Sequence, residues 1–246
     1  MEDETQQPEV QNGAHKGIIK NVGSLDLRHV RSPEEFARIE GLMNVGMILV
    51  SEDQMANIVT IPMTNVGVVV PVPVGPNVKI LSGEIEVSGE VLSAHDENTV
   101  LVIAGQVMVT SPVSQLRSSL VVAGQLIAPR VSEVAIGSKI QGLFGQVVYY
   151  KGSSPRQLIG DNTVSADYLK MAVEPMTLIL VGNSRFAPDI TADLLKEKVH
   201  DLILVGDVYA PSDLHGVIQY LASTKVGNLI DTDKPIPKKN KDGRGE

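Results

Sequence analysis

From Leu81 to Lys151 the chain reads as short apolar runs broken by small and polar residues: LSGEIEVSGEVL, TVLVIAGQVMVTSPV, SLVVAGQLIAPRVS and IQGLFGQVVYYKG. Alternating apolar runs bounded by Gly, Ser, Pro and Asn predict strands and tight turns. The last three runs share one unit: apolar residues, a small or aromatic residue, Gly-Gln, apolar residues. An equivalent glycine recurs along the chain at Gly23, Gly46, Gly67, Gly83, Gly105, Gly124, Gly145, Gly160, Gly182, Gly206 and Gly227. The successive spacings are 23, 21, 16, 22, 19, 21, 15, 22, 24 and 21 residues. Their mean, about 20, lies in the range of leucine-rich and β-helical repeats.

This register predicts a repeat solenoid, mainly β, of stacked parallel strands with about 20 residues per coil. The coils differ by region, with strand-helix coils expected over 17–71, β-only coils over 72–151 and strand-helix coils over 152–230. All of these are expected to form one domain, with an acidic disordered tail over 1–16 and a basic disordered tail over 231–246. Helix starts are read at Ser32-Pro33-Glu34-Glu35, with Phe36, Ile39 and Leu42 following at helical spacing. Ser51-Glu52-Asp53-Gln54 repeats that signal more weakly. Asp189 and Ser212 are expected to cap the two C-terminal helices.

Period-two alternation divides the central strands into two faces. Ile103, Val107, Val109, Val122, Leu126, Ala128, Leu143, Val147 and Tyr149 share a face with the glycines and are the expected core. The opposite face carries Ala104, Gln106, Met108, Ala123, Gln125, Ile127, Phe144, Gln146 and Val148. That set is too apolar for a bare solvated sheet, so either the chain itself or another molecule must cover it.

A polar column follows the glycines directly: Glu84, Gln106, Gln125, Gln146, Asp161, Asn183, Asp207 and Asn228. Stacked side chains of this kind form an internal hydrogen-bonded ladder or, alternatively, an exposed stripe that holds an extended ligand. The candidate interaction stripe is therefore Gln106, Gln125, Gln146, Asp161, Asn183 and Asp207, with Phe144 and Met108 beside it. A second column, Asn21, Asn44 and Asn65, reads as an internal asparagine ladder.

Composition then narrows the chemistry. A net charge of −8 on 246 residues argues against nucleic acid as a partner. With no cysteine there is no disulfide, thiolate metal site or cysteine nucleophile. The polar N-terminus lacks the apolar core of a signal peptide, and no run has the length of a membrane span, so the expected location is cytoplasmic. The histidines His15, His29, His95, His200 and His215 fall in separate segments without metal-ligand spacing. No nucleophile elbow or phosphate-cradling loop is present, so neither a catalytic set nor a cofactor is expected. Asp161, Asp189, Asp193, Asp207 and Asp213 cluster near the C-terminal coils, as the acids of a glycan-processing β-helix would. LILVGNSRFAP and LILVGDVYAP each precede a helix, as strands of a nucleotide-binding α/β region do, although no Gly-rich fingerprint accompanies them.

SGEIEVSGEVL, IAGQVMVTSPV and VAGQLIAPRVS resemble the coils of bacterial bactofilin-like polymer-forming β-solenoids. The helix-bearing ends look more like leucine-rich repeats, without their leucine/asparagine consensus. The resemblance covers about a third of the chain and implies a bacterial structural protein that self-assembles. Helical caps at the ends would tend to block end-to-end polymerisation. The expectation is a non-enzymatic scaffold acting through self-association or contact with another protein. A ligand- or glycan-binding solenoid and a nucleotide-binding C-terminal region stand as alternatives.

Overall fold

Parallel β-strand in stacked sheets dominates the chain, and its helices are few and short. The computed structural model describes residues 17–75, 77–152 and 154–233. The chain separates into two compact units, Met1–Val78 and Lys79–Glu246.

The first unit holds β1 (Gly17–Asp26), α1 (Pro33–Phe36), β2 (Ile39–Ser51), α2 (Met55–Ile58) and β3 (Met63–Val72). Its three strands form one parallel sheet in the order β1-β2-β3, with Val22, Val45 and Val66 in register. Just before that register point, Asn21, Asn44 and Asn65 adopt φ of 59°, 54° and 53°. Asparagine tolerates this left-handed conformation better than other side chains carrying a Cβ. The Asn44 amide donates to Asn21 Oδ1 at 2.9 Å, and the Asn65 amide donates to Asn44 Oδ1 at 2.8 Å. The asparagine ladder is thus present, but its side chains are exposed rather than internal.

Ser32 caps α1 as expected and makes a full capping box with Glu35 behind Pro33. The helix nevertheless ends after one turn. Ile39 and Leu42, read as its continuation, belong to β2, and Leu42 is buried with Phe36, Ile48 and Ile58. Ser51 makes no cap bond; its hydroxyl donates to the Arg28 carbonyl instead. Burial raises the Asp26 carboxyl, but two-point hydrogen bonding and charge from Arg28 outweigh this and hold it below its ordinary value.

The second unit alternates strands between paired sheets. Its first half runs β4 (Asn77–Leu81), β5 (Glu84–Val87), α3 (Gly89–Ser93), β6 (Thr99–Ile103), β7 (Gln106–Val109), β8 (Ser119–Val122), β9 (Gln125–Pro129), α4 (Glu133–Gly137), β10 (Ile140–Leu143) and β11 (Gln146–Tyr150). Even strands form one sheet, β4-β6-β8-β10, and odd strands another, β5-β7-β9-β11. The second half repeats the plan with β12 (Pro155–Ile159), β13 (Asn162–Val164), α5 (Ala166–Lys170), β14 (Met176–Val181), β15 (Ser184–Phe186), α6 (Ala192–Lys198), β16 (Val199–Val205), β17 (Val208–Ala210), α7 (His215–Leu221), β18 (Ala222–Val226) and β19 (Leu229–Asp231). Its sheets are β12-β14-β16-β18 and β13-β15-β17-β19.

In this unit the recurrent glycine is the corner between the two strands of a turn. A Cβ at Gly124 would lie 2.1 Å from the Gly105 carbonyl oxygen, and one at Gly145 would lie 1.9 Å from that of Gly124. Only glycine permits so close a backbone approach. The contacts link Gly23-Gly46-Gly67, Gly83-Gly105-Gly124-Gly145 and Gly160-Gly182-Gly206-Gly227. A Cβ at Gly83 or Gly160 would meet nothing within 4 Å. The eleven glycines therefore form three stacks rather than one register, and the breaks coincide with the two shortest spacings, 16 and 15 residues.

The segment expected to be β-only carries α3 and α4, which sequence reading missed because each is a single turn. Ser88 caps α3, Ser165 caps α5 and Thr191 caps α6. Asp189 does not cap the helix that follows it. Its carboxylate accepts from the Ala166 N–H, at the start of the helix one turn of the stack earlier. Ser111 serves Gly89 N–H in the same way, Ser132 serves Val113 N–H, and Asp233 serves Ser212 N–H. Asp231 and Asp233, assigned to the tail, are therefore part of the last strand and its flank. Residues 1–16 and 234–246, the remaining tail assignments, lie outside the described residues.

Each half encloses its own apolar interior. Leu101, Ile103, Val107, Val109, Val122, Leu126 and Ala128 fill the first, with Val147 and Tyr149 partly buried against them. Leu143, expected there too, is 56% exposed in the outermost strand of its sheet. Leu178, Leu180, Phe186, Leu202 and Leu204 fill the second. A third cluster joins the halves: Met108, Ile127, Val148 and Tyr150 from the odd-numbered sheet meet Ile179 and Ile203 of β14 and β16. Burying each of these side chains contributes about 1.5–3 kcal/mol, so the two sheets hold one another face to face.

Candidate functional site

Gln106, Gln125 and Gln146 stand in register at the first positions of β7, β9 and β11. Two residues further along each strand come Met108, Ile127 and Val148, all buried at 3% or less. The apolar face that seemed to require a cover has one within the chain, the sheet β12-β14-β16-β18. Met108 is consequently a core residue and not part of a surface stripe. The glutamines are half-buried at the margin of the same sheet-to-sheet contact, where Glu84, Glu86, Gln106, Gln157 and Ile159 line a cleft of about 220 Å³. The amide nitrogens of Gln106, Gln146 and Gln157 are enclosed without a protein partner. Phe144 is 44% exposed and lies against Gly142 beside exposed Leu143, in the last turn of the first stack.

The second half of the column behaves differently. The Asn183 amide donates to Asp161 at 2.9 Å, and Asn228 donates to Asp207 through its amide at 2.9 Å and its backbone N–H at 3.2 Å. These residues form carboxylate–amide pairs along the outer corner of the second stack. The column is therefore two features on different strand stacks: a half-buried glutamine row and an Asp/Asn ladder. The hydrogen-bonded pairs lie at an exposed corner, whereas the enclosed amide nitrogens of Gln106 and Gln146 make no ladder bond.

Beside the ladder, on the outward side of β13, β15 and β17, Thr163, Arg185 and Tyr209 are in register. The Arg185 guanidinium sits over the Tyr209 ring, 5.2 Å from its centroid. Asp161, Asn162, Thr163, Asn183, Ser184, Arg185 and Tyr209 line a cavity of about 230 Å³. Sequence reading missed Thr163, Arg185 and Tyr209; their signal was a shared offset of two residues from the polar column.

A polar cluster also pins the connector between the halves. The Lys151 N–H donates to buried Asp201 at 2.6 Å, and the Thr177 hydroxyl donates to the Lys151 carbonyl. His200 Nε2 lies 3.3 Å from that hydroxyl. Tyr150, the last residue of β11, donates its hydroxyl to the Val109 carbonyl at 3.0 Å, and burial pushes its pKa up to about 12. These groups are occupied by structural bonds.

The five C-terminal acids do not converge. Asp161 and Asp207 belong to the ladder and Asp189 binds backbone, while Asp193 and Asp213 sit in the first turns of α6 and of the 3-10 turn before α7. Nor does either LILVG strand lead directly into a helix, since β15 and β17 intervene before α6 and α7. Among the described residues no group of three His, Cys, Asp or Glu side chains is placed to hold a metal ion. No helix among them is long and apolar enough to cross a membrane. Compared with known proteins, the chain matches no family model, no curated protein and no solved structure.

Proposed function

We propose that the chain is a solenoid scaffold, without catalytic activity, that works by associating with further copies of itself through the exposed ends of its strand stacks. The observation that carries this is the last turn of the Gly83–Gly145 stack, where Leu143, on the outermost strand β10, and Phe144, in the bend that follows it, are 56% and 44% exposed. An uncovered strand edge presents unpaired N–H and C=O groups, and an apolar margin adds a driving force for pairing. The other stack supports the same reading. Val226 is 48% exposed on its outermost strand β18, and Gly160, at its opposite end, has open space where each later glycine meets a carbonyl. The face of the central sheet is not used, because it is already buried against β14 and β16.

Negative-stain microscopy of the purified chain tests this directly. Oligomers or filaments are the expected result, and uniformly single particles across a broad range of concentration would refute it. A nucleotide-binding role for the C-terminal region gains no support from the connections of β14 and β16. The glycan alternative has one specific observation in its favour.

A further inference from the structure

We propose that the outward face of β13, β15 and β17 binds a neutral oligosaccharide laid along the stack. Two rows cross this face. Asp161 and Asn183 form a hydrogen-bonded pair at 2.9 Å in the corner row, and Thr163, Arg185 and Tyr209 are in register in the strand row. Together they line the cavity of about 230 Å³. Ser184 borders it as well, but its side chain lies with Phe186 on the buried side of β15, opposite Arg185, and is 1% exposed.

The chemistry of these groups suits vicinal hydroxyls, each of which both donates and accepts. Asp161 accepts, and Asn183, with one amide N–H given to Asp161, offers its Oδ1 as a second acceptor and its other N–H as a donor. Arg185 supplies donors in a fixed planar fork and makes no ion pair with any described carboxylate. Thr163 and the Tyr209 hydroxyl do either. The guanidinium over the Tyr209 ring, 5.2 Å from its centroid, makes a planar pair of groups beside which a sugar ring can lie.

Charge selects against an anionic ligand. The cavity lining carries one carboxylate and one guanidinium, Asp207 adds another acid in the adjoining corner row, and the chain as a whole bears −8. The strand rows repeat at about 4.8 Å along the stack, so a chain of rings laid along it crosses Thr163, Arg185 and Tyr209 in turn.

The site starts at β13, the end strand beside Gly160, but the two side chains varied in its test, Arg185 and Tyr209, belong to the inner strands β15 and β17. Calorimetric titration of the full chain with cellohexaose, chitohexaose, maltohexaose and hexagalacturonate tests it. The expected result is saturable binding of at least one neutral hexaose. That binding should weaken by about tenfold or more in Arg185→Ala and in Tyr209→Ala, and be retained in Tyr209→Phe, which keeps the ring. Circular dichroism confirms that the variants fold, and their sedimentation should match the parent chain, which separates loss of this site from loss of assembly. No saturable binding of any neutral hexaose, binding of hexagalacturonate alone, or binding indifferent to both alanine variants would overturn the proposal.

Discussion

Gly124 stands with its α-carbon against the carbonyl of Gly105, leaving 2.1 Å where a Cβ would sit. The contact is backbone to backbone, so no side chain can move aside to relieve it. Gly124→Ala should therefore separate two turns of the stack and lower stability by several kcal/mol, on the order of a core overpacking mutation or more. Gly216, in α7, has nothing within 4 Å of its own Cβ position. Gly216→Ala should raise stability by up to about 1 kcal/mol through helix propensity alone. Chemical denaturation of the two variants beside the parent chain checks both signs.

The asparagine ladder gives a second test. Asn44 has φ of 54° and bonds to Asn21 and Asn65 on either side. Asn44→Ala loses both side-chain bonds and keeps the unfavourable backbone, and should cost about 1–2 kcal/mol from conformation alone. Asn44→Gly loses the same bonds but relaxes the backbone, so it should cost less. Thermal melts of both variants would show this order, and the reverse order would mean that the left-handed backbone at Asn44 carries no cost.

Met108 fills the contact between the two halves of the second unit, with Ile179 and Ile203 opposite. Met108→Ala should cost about 2–5 kcal/mol. Were the residue part of an exposed docking stripe, the same change would be nearly neutral for folding, so urea titration distinguishes the two roles.

Alkaline pH should act through Tyr150. Burial raises its pKa from 10.0 to about 12, and its hydroxyl donates to the Val109 carbonyl. The folded state thus holds this proton more tightly than the unfolded state does. Its contribution is complete below about pH 10, declines as pH rises, and is lost at about pH 12. Burial raises Tyr149 and Tyr168 as well, so the diagnostic quantity is a difference. Tyr150→Phe should lower stability at neutral pH by about 1 kcal/mol or more, and that gap should close on the alkaline side.

Glycine spacing and strand alternation carried most of the fold in plain view. The aligned glycines do stack, the asparagine column is a ladder, and Ser32 caps its helix. The breaks were also visible, as spacings of 16 and 15 residues, each too short for a full turn of the stack, but an average over the chain absorbs them. Helical spacing misled at Ile39 and Leu42 because a one-turn helix runs straight into a strand, and three positions cannot separate the two periods. Alternation marked Met108 and Ile127 as apolar and in need of cover. It carried no information that Ile179 and Ile203, some 50 residues or more away in the sequence, provide it. Asp189 was legible as a cap but not as the cap of an earlier helix, because that partnership crosses from one turn of the stack to the next. The cavity beside Asp161 was hidden for the same reason: Thr163, Arg185 and Tyr209 become neighbours only once the strands stack.

Self-association through the stack ends is most directly tested by sedimentation velocity on the parent chain and on Leu143→Glu/Phe144→Glu. Both side chains are exposed, Leu143 on the outermost strand β10 and Phe144 in the bend after it, so the double variant should fold normally. The parent chain should sediment as species larger than a 26.3 kDa monomer, growing with concentration, while the double variant shifts towards the monomer. A parent chain that stays at 26.3 kDa across the whole concentration range would rule out self-association as its mode of action.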